Sequence, residues 1–185
     1  MVPLETERLI LKPWSEEDAE ALYAYAKEPD VGPHAGWKPH ADVEESLRII
    51  RTLFLPNDVW AVVLKCSGKI IGSVGLEPDK RRPGVKSSEL GYALSKEYWG
   101  QGIITEAAKT VIDFAFEVFK LDVVSICTSP VNKRSQGVIR KCGFTYEGTE
   151  RKCYVTYDGT VRDTKCYSIL REEWENWQNQ SESSY

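Results

Sequence analysis

The stretch LSKEYWGQGIITEA, residues 94–107, places two glycines between an aromatic pair and the start of a helical pattern. Apolar residues recur every three or four positions from Ile103 to Val118, which predicts an amphipathic helix. The first N–H groups of a helix lack intrahelical acceptors and lie at the positive end of its dipole. Because Gly100 and Gly102 carry no Cβ, an anion can approach these groups closely. The junction is predicted to bind a phosphate; the alternative is that both glycines serve only a tight turn.

This turn lacks the features of two common nucleotide-binding loops. The segment GQGIITEA does not end in the Gly-Lys-Ser/Thr of a P-loop, and no acidic residue ends a later strand as a dinucleotide-binding fold requires. The pyrophosphate of another kind of cofactor is therefore the predicted ligand.

Composition predicts one soluble domain. The chain has 185 residues, is 42% hydrophobic and has a formal net charge of -4, which argues against direct nucleic-acid binding. Its first residues, MVPLETERL, do not resemble a signal peptide, and no apolar run approaches the roughly 20 residues that cross a bilayer. We expect a cytoplasmic protein without membrane contact, with one domain over residues 1–178 and a disordered tail over residues 179–185.

The five cysteines predict neither a disulfide framework nor a zinc site. Their number is odd, and no Cys-x-x-Cys pair is present. We expect reduced and mostly buried thiols.

Hydrophobic patterning predicts a mixed sheet with helices between its strands. Alternating or continuous apolar runs predict strands over residues 8–12, 59–66, 69–76, 87–94, 121–128, 152–157 and 164–170. The second to fourth of these form an antiparallel meander. The segment from 87 to 128 is typical of a βαβ unit with parallel strands. Asn132 is predicted to cap a further helix that ends at Gly143.

Four segments stand out along residues 6–177: ETERLILKPWSEEDAEAL, GYALSKEYWGQGIITEAAKTVIDFAF, NKRSQGVIRKCGF and DTKCYSILREEW. Together they resemble the GNAT superfamily of acetyl-CoA-dependent N-acetyltransferases, in the branch of the RimJ and RimL ribosomal-protein N-terminal acetyltransferases. The resemblance implies the α/β (α+β) acyltransferase fold. Its mixed, mostly antiparallel sheet has six to seven strands flanked by helices and is splayed between strands four and five, here residues 87–94 and 123–128.

The resemblance also implies where acetyl-CoA binds. Pantetheine pairs with the backbone of strand four, and the pyrophosphate lies on the N–H groups of the glycine turn. The implied cofactor-binding residues are Tyr92, Ala93, Leu94, Trp99, Gly100, Gln101, Gly102, Ile103, Ile104, Thr105, Asn132 and Ser135. Trp99 is usual in this branch. Ile104 replaces a small residue of the family pattern, which is expected to shift the phosphates slightly. Asn132 matches an asparagine that binds the cofactor, a role compatible with capping a helix.

The chemistry needs a base for the attacking amine and a donor for the leaving thiolate. Related N-terminal acetyltransferases often place these groups at positions that hold Cys127 and Ile139 here, so both roles are vacant there. Cys127 is expected to be a buried structural thiol. Glu89, in KSSELGYAL, is the predicted base, because an acid inside a strand is costly without a function or a partner. Its alternative is a solvated residue at a splayed edge.

Ser135 is the predicted donor to the thiolate. It resembles the serine near the cofactor sulfur in the RimL-like branch. The alternative is a serine that is merely tolerated in a first helical turn.

The loop GPHAGWKPH is expected to shape the acceptor pocket through Trp37 and His40. His34 and His40 lie six residues apart without a nearby carboxylate or cysteine, so no metal site is predicted. The basic residues of the loop over 80–86 predict a solvated loop, with contact to an acidic substrate or ribosomal RNA as the alternative.

We therefore expect direct acetyl transfer, in a ternary complex, from acetyl-CoA to a primary amine, first of all a protein or peptide N-terminus. The alternatives are a small-molecule amine such as an antibiotic or a polyamine, a non-catalytic acyl-CoA sensor, and a flavin or NAD enzyme. Both a monomer and a homodimer remain open.

Overall fold

The computed structural model describes residues 1–182, and side chains as far as residue 180. The described residues form one eight-stranded sheet in the order β1-β2-β3-β4-β5-β6-β8-β7. The strands are β1 (Leu4–Glu5), β2 (Leu9–Pro13), β3 (Asp58–Leu64), β4 (Ile70–Pro78), β5 (Ser87–Leu94), β6 (Val123–Thr128), β7 (Thr145–Val155) and β8 (Val161–Leu170).

Six α-helices connect and flank these strands in the described part of the chain. They are α1 (Ala19–Ala26), α2 (Gly32–Ala35), α3 (Val43–Ile49), α4 (Ile103–Glu117), α5 (Lys133–Lys141) and α6 (Arg171–Glu182). None of the described helices is both long enough and apolar enough to cross a membrane.

The sheet has one strand more than the six to seven predicted. The additional strand, β1, contains two residues and pairs with Leu11 and Ile10 of β2. Two residues cannot show a periodic pattern, so β1 is not predictable from hydrophobic patterning. Strand β2 consequently has a neighbouring strand on each side, β1 and β3.

Two apolar clusters cover the two faces of the sheet. Trp60 and Val62 of β3 belong to the cluster that includes α4, whereas Val59 and Ala61 belong to the cluster that includes α1. Because successive residues of a strand point to opposite faces, the two helices lie on opposite sides. The sheet is therefore the middle layer of the molecule.

The sheet is splayed between β5 and β6, as predicted. These parallel strands pair only from Ser87 with Val123 to Glu89 with Ser125. Beyond Glu89, β5 remains paired with β4 as far as Leu94, and β6 remains paired with β8 as far as Thr128. One edge of each strand is thus left without a neighbouring strand, and a cleft opens between them.

The C-terminal helix corrects part of the predicted tail. Residues 179–182 are helical as the end of α6, whereas 183–185 lie outside the described residues. Helix α6 packs on α4: Trp174 Nε1 donates to Asp113 Oδ1 at 2.7 Å, and its ring stacks on Phe116 at 5.3 Å. A polar composition predicts disorder only for a segment that nothing anchors, and these contacts anchor the helix.

Candidate active site

The cleft is a cavity of about 640 Å³ lined by β5, the glycine turn, the start of α4, β6 and α5. Every predicted cofactor residue except Gln101 lines it, as do both predicted catalytic residues, Glu89 and Ser135. Leu94 lies five positions after Glu89 along β5, a distance of about 17 Å at the usual rise of a strand. The cleft therefore has the length to hold an extended chain between the glycine turn and Glu89.

The glycines of the turn adopt backbone angles that other residues rarely adopt. Gly100 has φ 78° and Gly102 has φ 77°, and Gly102 immediately precedes α4. A Cβ at Gly100 would meet no described atom within 4 Å. The structure thus explains these glycines by their backbone conformation, because a residue with a side chain is strained in the left-handed region.

Arg8 and Glu106 hold the turn in place. Arg8 Nε donates to Glu106 Oε2 at 2.7 Å, and Arg8 Nη1 donates to the carbonyl oxygen of Gln101 at 3.1 Å. Burial alone would raise the pKa of Glu106, but hydrogen bonds from Thr6 and Arg8 lower it overall. The N–H groups at the start of α4 are thereby presented at a fixed place in the cleft.

Trp99 and Gln101 have different roles in the turn. Trp99 Nε1 donates to the carbonyl oxygen of Leu94 at 2.8 Å, and the Arg134 guanidinium lies 4.4 Å from the centre of the Trp99 ring. The Gln101 side chain instead donates to the carbonyl oxygen of Glu97 at 3.1 Å, outside the cavity. The Gln101 side chain is thus drawn away from the cleft, and the expected contact of its backbone N–H with the pyrophosphate stays a prediction.

Asn132 is a helix cap and a tie between two elements. Its Oδ1 accepts from the backbone N–H of Ser135 at 3.1 Å, and its Nδ2 donates to the carbonyl oxygen of His34 at 3.4 Å. The cap predicted at the start of α5 is confirmed. Asn132 also lines the cavity, so its position is compatible with contact to a ligand.

Tyr92 contributes a side chain that the sequence interpretation had overlooked. Its hydroxyl oxygen lies 3.0 Å from Ser135 Oγ. Burial raises the pKa of Tyr92, and the hydrogen bond with Ser135 acts in the opposite direction with a smaller effect. The phenol therefore remains protonated at neutral pH and can donate. Ile139, at the position where related enzymes carry a tyrosine, is fully buried.

Glu89 lies where the two strands begin to separate. It is directly opposite Glu77 of β4, and its Oε2 is 3.7 Å from Arg81 Nη2. Burial raises the pKa of Glu89; Arg81 lowers it, while Asp79 and Glu77 raise it further. The net result is a carboxyl group with increased proton affinity on the wall of the cleft, which is the property of a general base. This position disfavours the interpretation of Glu89 as a solvated edge residue.

Cys127 faces the same part of the cleft. Arg81 Nη1 donates to its Sγ, and Cys166 Sγ lies 3.4 Å away. Burial raises the pKa of the Cys127 thiol well above its usual range, and Arg81 opposes this only in part. The thiol is accordingly uncharged at neutral pH, so it is not an activated nucleophile.

The loop between β4 and β5 corrects the prediction of a fully solvated basic segment. Lys80 and Lys86 are exposed, but Arg81 and Arg82 fold back onto acidic residues. Arg82 Nη1 is 2.7 Å from Asp79 Oδ2, and its Nη2 pairs with Glu147. Charge content alone predicts solvation, whereas the buried carboxylate of Asp79 and the carboxylate of Glu147 on β7 attract these guanidinium groups.

Trp37 and His40 do not line the cavity, contrary to expectation. His40 is buried, with Nδ1 2.8 Å from Ser46 Oγ and its ring 5.2 Å from that of Trp37, and burial lowers its pKa. Trp37 packs into the apolar cluster beneath α1. The same loop instead brings His34 and Ala35 to the cavity. Within the described residues, no three His, Cys, Asp or Glu side chains lie close enough together to hold a metal ion.

A free strand edge, the cleft beside it and a helix N-terminus beyond the cleft are the arrangement of a protein that binds a long, phosphate-bearing ligand. The family model of the acetyltransferase (GNAT) domain matches residues 8–145, and the chain belongs to this family. The protein is an N-acetyltransferase that uses acetyl-CoA and acts on an amine.

Full-length relatives and solved structures agree with this membership. The chain is 28% identical over 179 residues to the uncharacterized N-acetyltransferase p20 of Bacillus licheniformis, covering 94% of this chain and 99% of that protein. A GNAT-family acetyltransferase from Bacillus anthracis has the same fold, with a TM-score of 0.83 at 23% identity over 93% of this chain and 100% of that one. The ribosomal-protein-S5-alanine acetyltransferase from Vibrio fischeri has a TM-score of 0.77 at 26% identity, over 94% of this chain and 99% of that one.

Proposed function

We propose that this enzyme acetylates the N-terminal amine of a protein or peptide by direct transfer within a ternary complex, as the resemblance to the RimJ and RimL branch implies. The observation that carries the proposal is Glu89, a carboxylate with increased proton affinity on the wall of the cleft. The likeness to the Vibrio fischeri enzyme, which is named for a ribosomal protein, supports this class of acceptor.

Each step of the transfer has a residue of this chain to perform it. Bound acetyl-CoA supplies a thioester whose carbon–sulfur bond breaks as the nitrogen–carbon bond forms. Glu89 accepts the proton of the amine, directly or through water. Ser135 donates its hydroxyl proton to the leaving sulfur, and Tyr92, 3.0 Å behind it, donates to Ser135 in turn. The Tyr92 phenolate then regains a proton from solvent, and Glu89 releases the amine proton to solvent. The start of α4 binds the pyrophosphate through its free N–H groups.

The ordinary pKa of an α-amine favours this acceptor over a lysine side chain. It is about 7.7–8.0, against about 10.4 for lysine, so a much larger share of an α-amine is neutral at pH 7. A carboxylate is a weak base even when burial raises its pKa. Glu89 can therefore assist an acceptor that is already partly neutral.

A small polyamine is the second candidate acceptor, and the Glu77–Glu89 pair favours it. The two carboxylates lie directly opposite each other on neighbouring strands, and both line the cavity. Like charges in this arrangement repel, and a ligand with two cationic groups would relieve the repulsion.

Thiol release from acetyl-CoA, measured with matched acceptors, tests these functions. The acceptors are peptides with free N-termini, the same peptides with acetylated N-termini, a polyamine and an aminoglycoside. We expect turnover with the free N-termini and none with the blocked peptides, even where these contain lysine. A higher kcat/KM with the polyamine would replace the proposal by the second candidate.

Two variants distinguish a catalytic base from a carboxylate that contributes only negative charge to the cleft. Glu89→Gln should abolish turnover while calorimetry shows unchanged acetyl-CoA affinity, whereas Glu77→Gln should leave kcat with peptides intact. Tight acetyl-CoA binding without turnover of any acceptor, in the wild type and in both variants, would favour the sensor.

A further inference from the structure

Arg81 is the cation that contacts Glu89 among the described residues, and it comes from a loop that the sequence pattern predicts to be solvated. We propose that Arg81 is a positioning residue for acetyl transfer: it holds the Glu89 carboxylate at the cleft and keeps it anionic. The proposal rests on the proposed function, in which Glu89 is the base.

The guanidinium of Arg81 reaches three different elements. Its Nη2 is 3.7 Å from Glu89 Oε2 on β5, its Nη1 donates to Cys127 Sγ on β6, and its Nε is 3.6 Å from Asp79 Oδ1 in its own loop. Nε and Nη2 are buried and have no hydrogen-bond acceptor within the described residues. A buried cation is costly unless nearby anions compensate it, so Arg81 and the carboxylates depend on each other.

Asp79 fixes the place of Arg81. Its side chain is fully buried. Oδ2 accepts from Ser125 Oγ and from Arg82 Nη1, both at 2.7 Å, and Oδ1 accepts from the backbone N–H of Arg81 at 2.9 Å. Burial would raise the pKa of Asp79, but these hydrogen bonds and Arg81 lower it overall, so it remains an anion. The loop is therefore held to the sheet at the point where the strands separate.

The charges around Glu89 show why a cation is needed there. Glu77 faces it from β4, Asp79 lies in the loop after β4, and Cys127 faces it from β6 with an uncharged thiol. Burial and the two acidic neighbours favour the protonated form of Glu89, while Arg81 and, with a smaller effect, a hydrogen bond with Cys127 oppose them. Without Arg81, both remaining charged neighbours of Glu89 would be acidic, and the carboxyl group would take up its proton at a higher pH, where it could no longer act as a base.

The pH dependence of kcat/KM distinguishes this role from a structural one. The variants are Arg81→Met, Arg81→Lys and, as matched control, Arg82→Met, which removes contacts to Asp79 and Glu147 but none to Glu89. An opposite charge at this distance lowers a carboxyl pKa by about one unit or more. We therefore expect the acidic limb of the profile to move up by about one pH unit in Arg81→Met. It should return most of the way in Arg81→Lys and stay in place in Arg82→Met.

A second measurement does not depend on turnover. Titration of the Glu89 carboxyl carbon by NMR, assigned with Glu89→Gln, should show the same upward shift of its pKa in Arg81→Met. An unmoved limb and an unmoved carboxyl titration in Arg81→Met would overturn the proposal, as would an equal shift in Arg82→Met.

Glu89→Gln separates failure of this proposal from failure of the proposed function. If Glu89→Gln keeps full turnover and the acidic limb, Glu89 is not the base, and the role of Arg81 falls with it. If Glu89→Gln abolishes turnover while Arg81→Met behaves as the wild type, only the role of Arg81 is refuted.

Discussion

Replacing Gly102 by alanine tests the glycine turn, where both the fold and the predicted phosphate site depend on one residue. At Gly102, with φ 77°, a Cβ would lie 3.7 Å from Arg8 Nη2, an ordinary contact. The cost of Gly102→Ala is thus almost entirely backbone strain, about 1–2 kcal/mol in the left-handed region. For a domain of this size, 1 kcal/mol corresponds to roughly 2–4 °C in Tm, so we expect Tm to fall by about 2–8 °C.

Gly137 offers a matched control for this substitution. It lies within α5, its φ is not positive, and a Cβ there would meet no described atom within 4 Å. Alanine at such a helical position stabilises by about 0.5–1 kcal/mol, so Gly137→Ala should raise Tm by about 1–4 °C. The two glycine-to-alanine changes are thus expected to act in opposite directions.

Thermal unfolding by circular dichroism and calorimetry with acetyl-CoA measure the two consequences separately. Gly102→Asn should recover part of the lost stability, because asparagine tolerates the left-handed conformation better than alanine does. It should still weaken acetyl-CoA binding by about tenfold or more, roughly 1.4 kcal/mol, since any Cβ keeps a phosphate from the helix N-terminus. An unchanged Tm in Gly102→Ala would refute the strain, and unchanged affinity in both variants would refute the phosphate site.

Three further predictions concern other parts of the cleft. Tyr92→Phe should lower kcat by about tenfold with KM unchanged. Adding Ser135→Ala to this variant should lower kcat little further, because both substitutions interrupt the same proton path; additive losses in the double variant would contradict this. Arg134→Ala should weaken acetyl-CoA binding by about threefold or more in calorimetry, since Trp99 loses a cation at its face; unaltered affinity would count against it. Arg8 donates to Glu106 on α4 and lowers the pKa of this carboxylate, so the stability lost in Arg8→Met should be largest at neutral pH. That loss should disappear as the pH falls through the folded-state pKa of this carboxylate, in thermal unfolding from pH 7 to about pH 3; a loss that does not vary with pH would contradict it.

The elements that carry the cofactor cleft were predictable because their signals are local. The predicted bounds of β5, residues 87–94, agree with the structure. The start of α4 after Gly102 and the cap at Asn132 were predicted as well. Helix caps and apolar periodicity depend on residues within one or two turns, so the sequence contains them in full.

The residues whose roles the sequence analysis predicts wrongly are those whose positions depend on contacts between distant segments. Arg81 meets Glu89 and Cys127 only because the loop after β4 folds back across the splay. Trp37 and His40 were expected in the pocket because they lie in the right loop, yet tertiary packing turns His34 to the cavity instead. Position along the chain predicts which loop contributes to a site, but not which side chain of that loop enters it.

The distribution of charge within the cleft supports a division between cofactor and acceptor. Lys133, Arg134 and Lys141 line the cavity from α5, near a helix N-terminus that also attracts anions. Glu77 and Glu89 line it where β5 and β6 separate, about 17 Å from the end of β5 at the usual rise of a strand. An anionic cofactor and a cationic amine are thus attracted to different parts of one cavity. Arg81 contacts only the acidic part of the cavity. It keeps Glu89 ready to accept a proton, and it does not pair with Glu77.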